Sequence, residues 1–126
     1  SPFPGEDYRC LCKLYVCEFC LKYMRKESTM SHHKHECIHR CPPGRVIYQE
    51  ERVKIYEVDG RQKMYCQNLC FLSKLFLDRK TMFFNVEPFV FYVLCEVNSC
   101  GAHMVGFFSK EKHSPEKHNL ACLLIF

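Results

Sequence analysis

Cys17, Cys20, His33 and Cys37 stand at the intervals by which a short chain holds one zinc ion, and a chain so crosslinked has few other ways to fold. Two thiolates two residues apart bite a tetrahedral metal from one tight turn. His33 and Cys37, at i and i+4, are predicted to share one face of a helix and complete the tetrahedron. Core packing has no use for Cys and His at those spacings. A rival set replaces Cys37 by His39, since five intervening residues are also allowed. Cys37 is preferred because the i, i+4 pair needs no break in the helix and a third thiolate binds zinc more tightly. His32, His35 and His39 then read as solvated. Four protein ligands leave no open position, so the zinc is expected to be structural, supplying on the order of 10 kcal/mol to a segment with little core of its own.

Eleven cysteines in 126 residues exceed what one site needs. The number is odd, and the Ser1–Pro4 start is polar and proline-rich, without the basic and apolar regions of a signal peptide. A reducing compartment is expected, with the remaining cysteines acting as small buried hydrophobes. Cys66 and Cys70 lack a second pair at metal spacing and read as core. No apolar run approaches the roughly eighteen residues that span a bilayer, so no membrane partner is expected. A 48% hydrophobic content is ample for a packed core and excludes a disordered chain. Eighteen basic against fourteen acidic side chains give a net charge of +4, which permits DNA contact without requiring it.

Composition changes near residue 42, where Pro42-Pro43-Gly44 bars a helix from continuing. Three segments are expected: a tail over 1–13, a zinc finger over 14–41 and a larger unit over 42–126. In the last, Val53 to Val58 reads as a strand ending at the turn pair Asp59-Gly60. Met64 and Tyr65 read as an extended restart. Leu69, Leu72, Leu75 and Phe76 predict a helix over 68–77. Pro88–Val97 and Ala102–Lys110 flank a turn and predict a hairpin. Leu120–Phe126 is a further strand, uncharged throughout and therefore expected to make the isolated chain poorly soluble or dependent on a partner. The fold class is α+β.

Several stretches together resemble the MYST family of histone acetyltransferases. They include Cys17-Glu18-Phe19-Cys20-Leu21-Lys22-Tyr23-Met24, Pro42-Pro43-Gly44, Glu57-Val58-Asp59-Gly60 and Tyr65-Cys66-Gln67-Asn68-Leu69-Cys70. Further matches are Lys74-Leu75-Phe76-Leu77-Asp78, Val86-Glu87-Pro88-Phe89 and Phe108-Ser109-Lys110-Glu111-Lys112. Gly101-Ala102-His103 and Ser114-Pro115 point to its MOF-like branch. The resemblance covers residues 14 to 125. It implies a C2HC finger beside part of a GNAT-like acetyltransferase domain, whose mixed, mainly antiparallel sheet carries one helix. It implies transfer of acetyl from acetyl-coenzyme A to histone lysines in the nucleus, with nucleosomes and chromatin-complex subunits as partners. Residue by residue, Lys80 corresponds to the lysine that the family autoacetylates and Cys122 to its active-site cysteine. Leu123, Leu124 and Ile125 match a strand whose backbone contacts the cofactor.

The departures bear on function. The family's cofactor loop is a Gly-x-Gly/Ala run at a helix start, where backbone amides approach a pyrophosphate. Glycine occurs here only at 5, 44, 60, 101 and 106, none two apart. The 126 residues stop at Phe126, before that loop and the family's general-base glutamate are expected to begin, and neither Glu87 nor Glu96 reads as a substitute. The chain by itself is expected to be inactive. Cys122 without a base reads rather as a packed strand residue, and Lys80 rather as an exposed lysine near a helix end. Arg79 stands where relatives carry His, Ser73 where they carry Ala, and the turn after Gly60 is one residue short. Two readings stay open: the front portion of an acetyltransferase, or a zinc-binding module that contacts chromatin or a partner without turnover.

Overall fold

The computed structural model describes residues 13–77, 85–113 and 120–125, with residues 74–77 and 120–125 described by backbone alone. A small N-terminal unit precedes a five-stranded sheet. In the first, strands β1 (Tyr15–Val16) and β2 (Tyr23–Met24) pair antiparallel, and helix α1 (Glu27–Glu36) packs beside them. In the second, β3 (Arg45–Glu50), β4 (Val53–Asp59), helix α2 (Lys63–Leu77), β5 (Phe89–Asn98), β6 (Gly101–Glu111) and β7 (Leu120–Ile125) follow in order. The sheet runs β3-β4-β5-β6-β7, a meander in which every neighbouring pair is antiparallel. The α+β expectation holds. The sheet is not mixed among the described residues, because each connection returns the chain beside the strand it left.

Register decides which residues form the core. Tyr56, Val93 and Phe107 lie opposite one another, as do Val58, Phe91 and Ser109, and all are buried. In antiparallel pairs opposed residues share a face, so these two rows make one apolar surface. Tyr65, Cys66 and Leu69 of α2 close over it in a single cluster that also holds Cys95 and Ala102. Cys66 and Leu69 are fully buried. Cys66 and Cys95 thus act as small hydrophobes, and burial pushes both thiols up to about 12, far from a reactive or ligating state.

The helix begins five residues before the apolar pattern predicts, at Lys63. Met64 and Tyr65 are helical, not extended. The cause is local. The Asp59 carboxylate accepts the Arg61 N–H at 2.8 Å, the Asp59 carbonyl accepts the Gln62 N–H at 2.9 Å, and Cys66 N–H reaches Gln62 at 3.0 Å. The chain therefore winds directly from the turn into α2, and burial of Tyr65 against the sheet overrides its strand propensity. Strand β3 was not predicted either. All six of its residues are exposed, so it lacks the alternation that marks a half-buried strand.

Gly60 sits where no side chain fits: a Cβ there would stand 1.8 Å from the Val86 carbonyl oxygen and 2.6 Å from that of Phe89. Its N–H bonds the latter at 2.8 Å, tying the β4 turn to the start of β5. Asp59 adds a second tie, because Lys112 Nζ reaches its carboxylate at 2.8 Å from the end of β6, 53 residues away. Lys112 foremost, with the backbone and side chain of Arg61, holds the Asp59 carboxyl well below the usual carboxylate range.

Two outcomes follow for stability. Gly60→Ala is expected to lower unfolding free energy by about 3 kcal/mol, measured by urea titration, since backbone atoms must move. A folded-state pKa below the unfolded value means that the Asp59 contribution is whole above about pH 4 and lost as pH falls through the folded value. Asp59→Asn should therefore melt lower than the parent at pH 7 and approach it at pH 2; a constant gap between the two would contradict this.

Candidate metal centre

The finger is built around a turn that few apolar contacts could hold. Between β1 and β2 the chain reverses with Leu21 N–H on the Cys17 carbonyl at 2.8 Å and Cys17 N–H on the Lys22 carbonyl at 2.9 Å. This knuckle places Leu21 in the left-handed region, φ 65°, an unfavourable state for a branched aliphatic side chain. Burial compensates: Leu21 is 2% exposed and belongs to the main sheet–helix core rather than to the finger's own cluster. Helix α1 is weak in isolation. Of its ten residues only Met30 is buried, and Lys26 at its N-cap makes no side-chain cap bond.

Within this frame four ligand atoms converge. Those of Cys17, Cys20, His33 and Cys37 all lie within 4.8 Å of one another. The Cys17 and Cys37 sulfurs are 4.0 Å apart, and Cys20 Sγ is 3.4 Å from His33 Nε2. A tetrahedral zinc with usual bond lengths has S···S edges of about 3.8 Å and S···N edges of about 3.6 Å. The donor set fits that ion. His39, the rival ligand, is exposed and outside the group. His33 and Cys37 do not share a helix face, however. The helix ends at Glu36, and Cys37 is extended at φ −69°, ψ 121°, with its N–H on the His33 carbonyl at 2.8 Å. Leaving the helix swings the thiol toward the knuckle.

Electrostatics point the same way. Burial disfavours the Cys17 thiolate, yet the N–H groups of Cys20 and Phe19 aimed at its sulfur hold its pKa below the ordinary value. Cys20 is pushed up to about 11 by burial and by the neighbouring sulfurs of Cys17 and Cys37. Three sulfurs this close cannot all ionise without a cation among them, and a doubly charged one relieves the conflict.

The knuckle also grips the sheet. Glu18, between the two cysteines, meets His103 Nδ1 at 2.7 Å, and His103 Nε2 meets Asn98 Oδ1 at 2.8 Å. Phe19 packs on the His103 ring with centroids 5.5 Å apart, and the Arg40 guanidinium lies 5.3 Å over Phe19. Ala102 N–H bonds the Arg40 carbonyl at 2.8 Å, and Gly101 allows the approach. At φ 141°, a Cβ on Gly101 would meet that carbonyl at 2.7 Å and Phe19 at 2.8 Å. The spacing pointed to the four converging side chains but not to this clasp. Its one visible signal was Gly101-Ala102-His103, read only as a family mark.

The remaining predicted residues stand elsewhere. Cys122, Leu123, Leu124 and Ile125 lie on β7, opposite Ser109, Phe108, Phe107 and Gly106 of β6. Lys80 lies outside the described residues. Among the described residues no helix is long and apolar enough to cross a membrane.

In the zinc-loaded chain, Cys17, Cys20, Cys37, Cys66 and Cys95 are expected to resist a maleimide while the exposed Cys41 and Cys100 react, as read by mass spectrometry. A chelator should open the first three and leave Cys66 and Cys95 protected. Cys37→Ser should weaken zinc binding more than about 100-fold, beyond what loss of an outer-sphere partner costs. Reaction of Cys37 as fast as Cys41 with zinc bound would exclude it as a ligand.

Comparison with known proteins agrees with this geometry. Residues 1–37 match the MYST family zinc finger domain, and residues 41–126 match the MOZ/SAS family. Histone acetyltransferase MOF of Drosophila melanogaster is 54% identical over 99% of this chain. Histone acetyltransferase of the MYST family 1 from Arabidopsis thaliana is 51% identical over 98%, and human histone acetyltransferase KAT6A is 49% identical over 99%. The chain spans 15%, 28% and 6% of those three proteins. A Cys3His finger clasped to an antiparallel sheet, with near-half identity from end to end, makes this chain a member of the MYST (MOZ/SAS) family.

Proposed function

We propose that these residues are the zinc finger, over 14–41, and the first part of the catalytic domain, from 42 onward, of a nuclear histone lysine acetyltransferase. The observation that carries this is identity of about one residue in two across 98–99% of the chain to proteins named histone acetyltransferases. In that reaction a neutral lysine amine attacks the thioester carbonyl of acetyl-coenzyme A, the C–S bond breaks, and the amine proton passes to a base. Cys17, Cys20, His33 and Cys37 would hold one zinc ion, whose chemistry is structural. With all four positions taken by these side chains it would fix the knuckle and leave no position for substrate.

The sheet's part is to present a strand end. By the resemblance, Cys122 corresponds to the family's active-site cysteine and Leu123, Leu124 and Ile125 to its cofactor strand; the four lie on β7 beside β6. Lys80 is assigned as the autoacetylated lysine. Histone tails are the substrate and chromatin-complex subunits the partners, and the net charge of +4 permits contact with DNA.

A chimera tests this reading. With these 126 residues in place of the matching segment of fly MOF, acetyl transfer to a histone tail peptide is expected within about tenfold of the parent, a barrier change below 1.4 kcal/mol. Cys122→Ala in the chimera should lower transfer without changing zinc content. A folded, zinc-loaded chimera that binds acetyl-coenzyme A but transfers nothing would favour the other reading, a non-catalytic interaction module.

A further inference from the structure

Where the finger meets the start of α2, the surface opens into a cavity of about 380 Å³. Phe19 and Met64 supply apolar wall, Gln62 and Asn68 supply amides, and Lys22 and His39 supply the basic groups. Among the described residues, no carboxylate lines it. Four acids of the finger and sheet are already engaged: Glu18 with His103, Glu36 with His32, Asp59 with Lys112 and Arg61, and Glu87 with Lys63. Lys22 is exposed and has no ion-pair partner among the described residues, and Arg25 and Lys26 follow it in the same state.

Two side chains here are placed against the usual economy of folding. Met64 is 75% exposed and lies in the first turn of α2, one residue from the buried Tyr65. Ile38 is 86% exposed and adjoins His39. Neither the metal centre nor the sheet core uses them. A flexible thioether beside a concave apolar wall suits a surface that must mould to an incoming side chain.

We propose that this seam is a docking site for an acidic segment of a partner protein, anchored by one large apolar side chain. The cavity has the volume of a small pocket and takes the anchor, with Phe19 and Met64 as its walls. Gln62 and Asn68 offer donors and acceptors for the segment's backbone. Lys22 and His39 in the lining meet its carboxylates, and these basic groups steer encounter and reject basic competitors. An apolar anchor in a pocket with a polar rim is the arrangement in which a few residues carry most of the binding energy. A nucleic-acid backbone fits less well, because phosphates gain nothing from the apolar wall and would follow the cations alone. The proposal is independent of acetyl transfer.

The test uses the zinc-loaded 126-residue chain carrying ¹³C-methyl methionine. The probes are acetyl-Glu-Glu-Leu-Phe-Glu-Glu-amide, its Lys-Lys-Leu-Phe-Lys-Lys counterpart and a short DNA duplex. The acidic peptide is expected to shift the Met64 methyl resonance saturably while the buried Met24 and Met30 stay in place, showing that the finger is intact. By fluorescence anisotropy of the labelled acidic peptide, Met64→Glu and Lys22→Glu should each weaken binding about tenfold. The basic peptide should bind at least about tenfold more weakly than the acidic one. Equal affinity for both peptides, no response at Met64, or a DNA response there that outcompetes the peptide would overturn the proposal.

Discussion

Three sulfurs, gathered with an imidazole within 4.8 Å, repel one another as soon as the thiols ionise, and a divalent cation held among them would turn that repulsion into attraction. Everything else in the finger is weak. Two strands of two residues each and a helix with one buried side chain cannot offset the entropy of ordering themselves. An ion held there would fix the knuckle, and the knuckle places three neighbours in turn. Leu21 is driven into the main core despite its left-handed backbone. Glu18 and Phe19 are presented to His103. Cys37, pulled out of helical geometry, leads the chain to Arg40 and so to the backbone bond with Ala102.

Finger and sheet are therefore one mechanical unit. The sheet has its own reason to exist, since Tyr56, Val58, Phe91, Val93 and Phe107 bury a continuous face under α2. Its corners are fastened separately: Gly60 and Asp59 join the β4 turn to β5 and to the end of β6, and the β5–β6 turn is fastened by the finger. The two ends of the same hairpin thus depend on different chemistry, an ion pair at one and a metal-ordered clasp at the other.

Much of this was legible in the residues. Metal spacing picked out the four side chains that converge, because coordination geometry tolerates few arrangements, and β-branched and aromatic runs located β4 to β7. What failed did so for physical reasons. Tyr65 favours strands in isolation, and only the sheet beneath it makes a helix the better place to bury its ring. Strand β3 carries no alternation because neither of its faces is covered. Cys37 was expected within the helix from i, i+4 spacing, whereas the tetrahedron needs it outside. The clasp joins residues 85 apart, and local pattern carries no record of such a contact.

If the metal centre orders the sheet's β5–β6 turn through the clasp, amide hydrogen exchange with and without zinc reads that dependence directly. Removing zinc from the intact chain should abolish protection at Ala102 and weaken it around Asn98 and His103. Protection at Val58 and Val93, deep in the sheet, should stay within about tenfold of the loaded chain, because local openings need not reach the core. Unchanged protection at Ala102 in a chain whose finger has come apart would contradict the account.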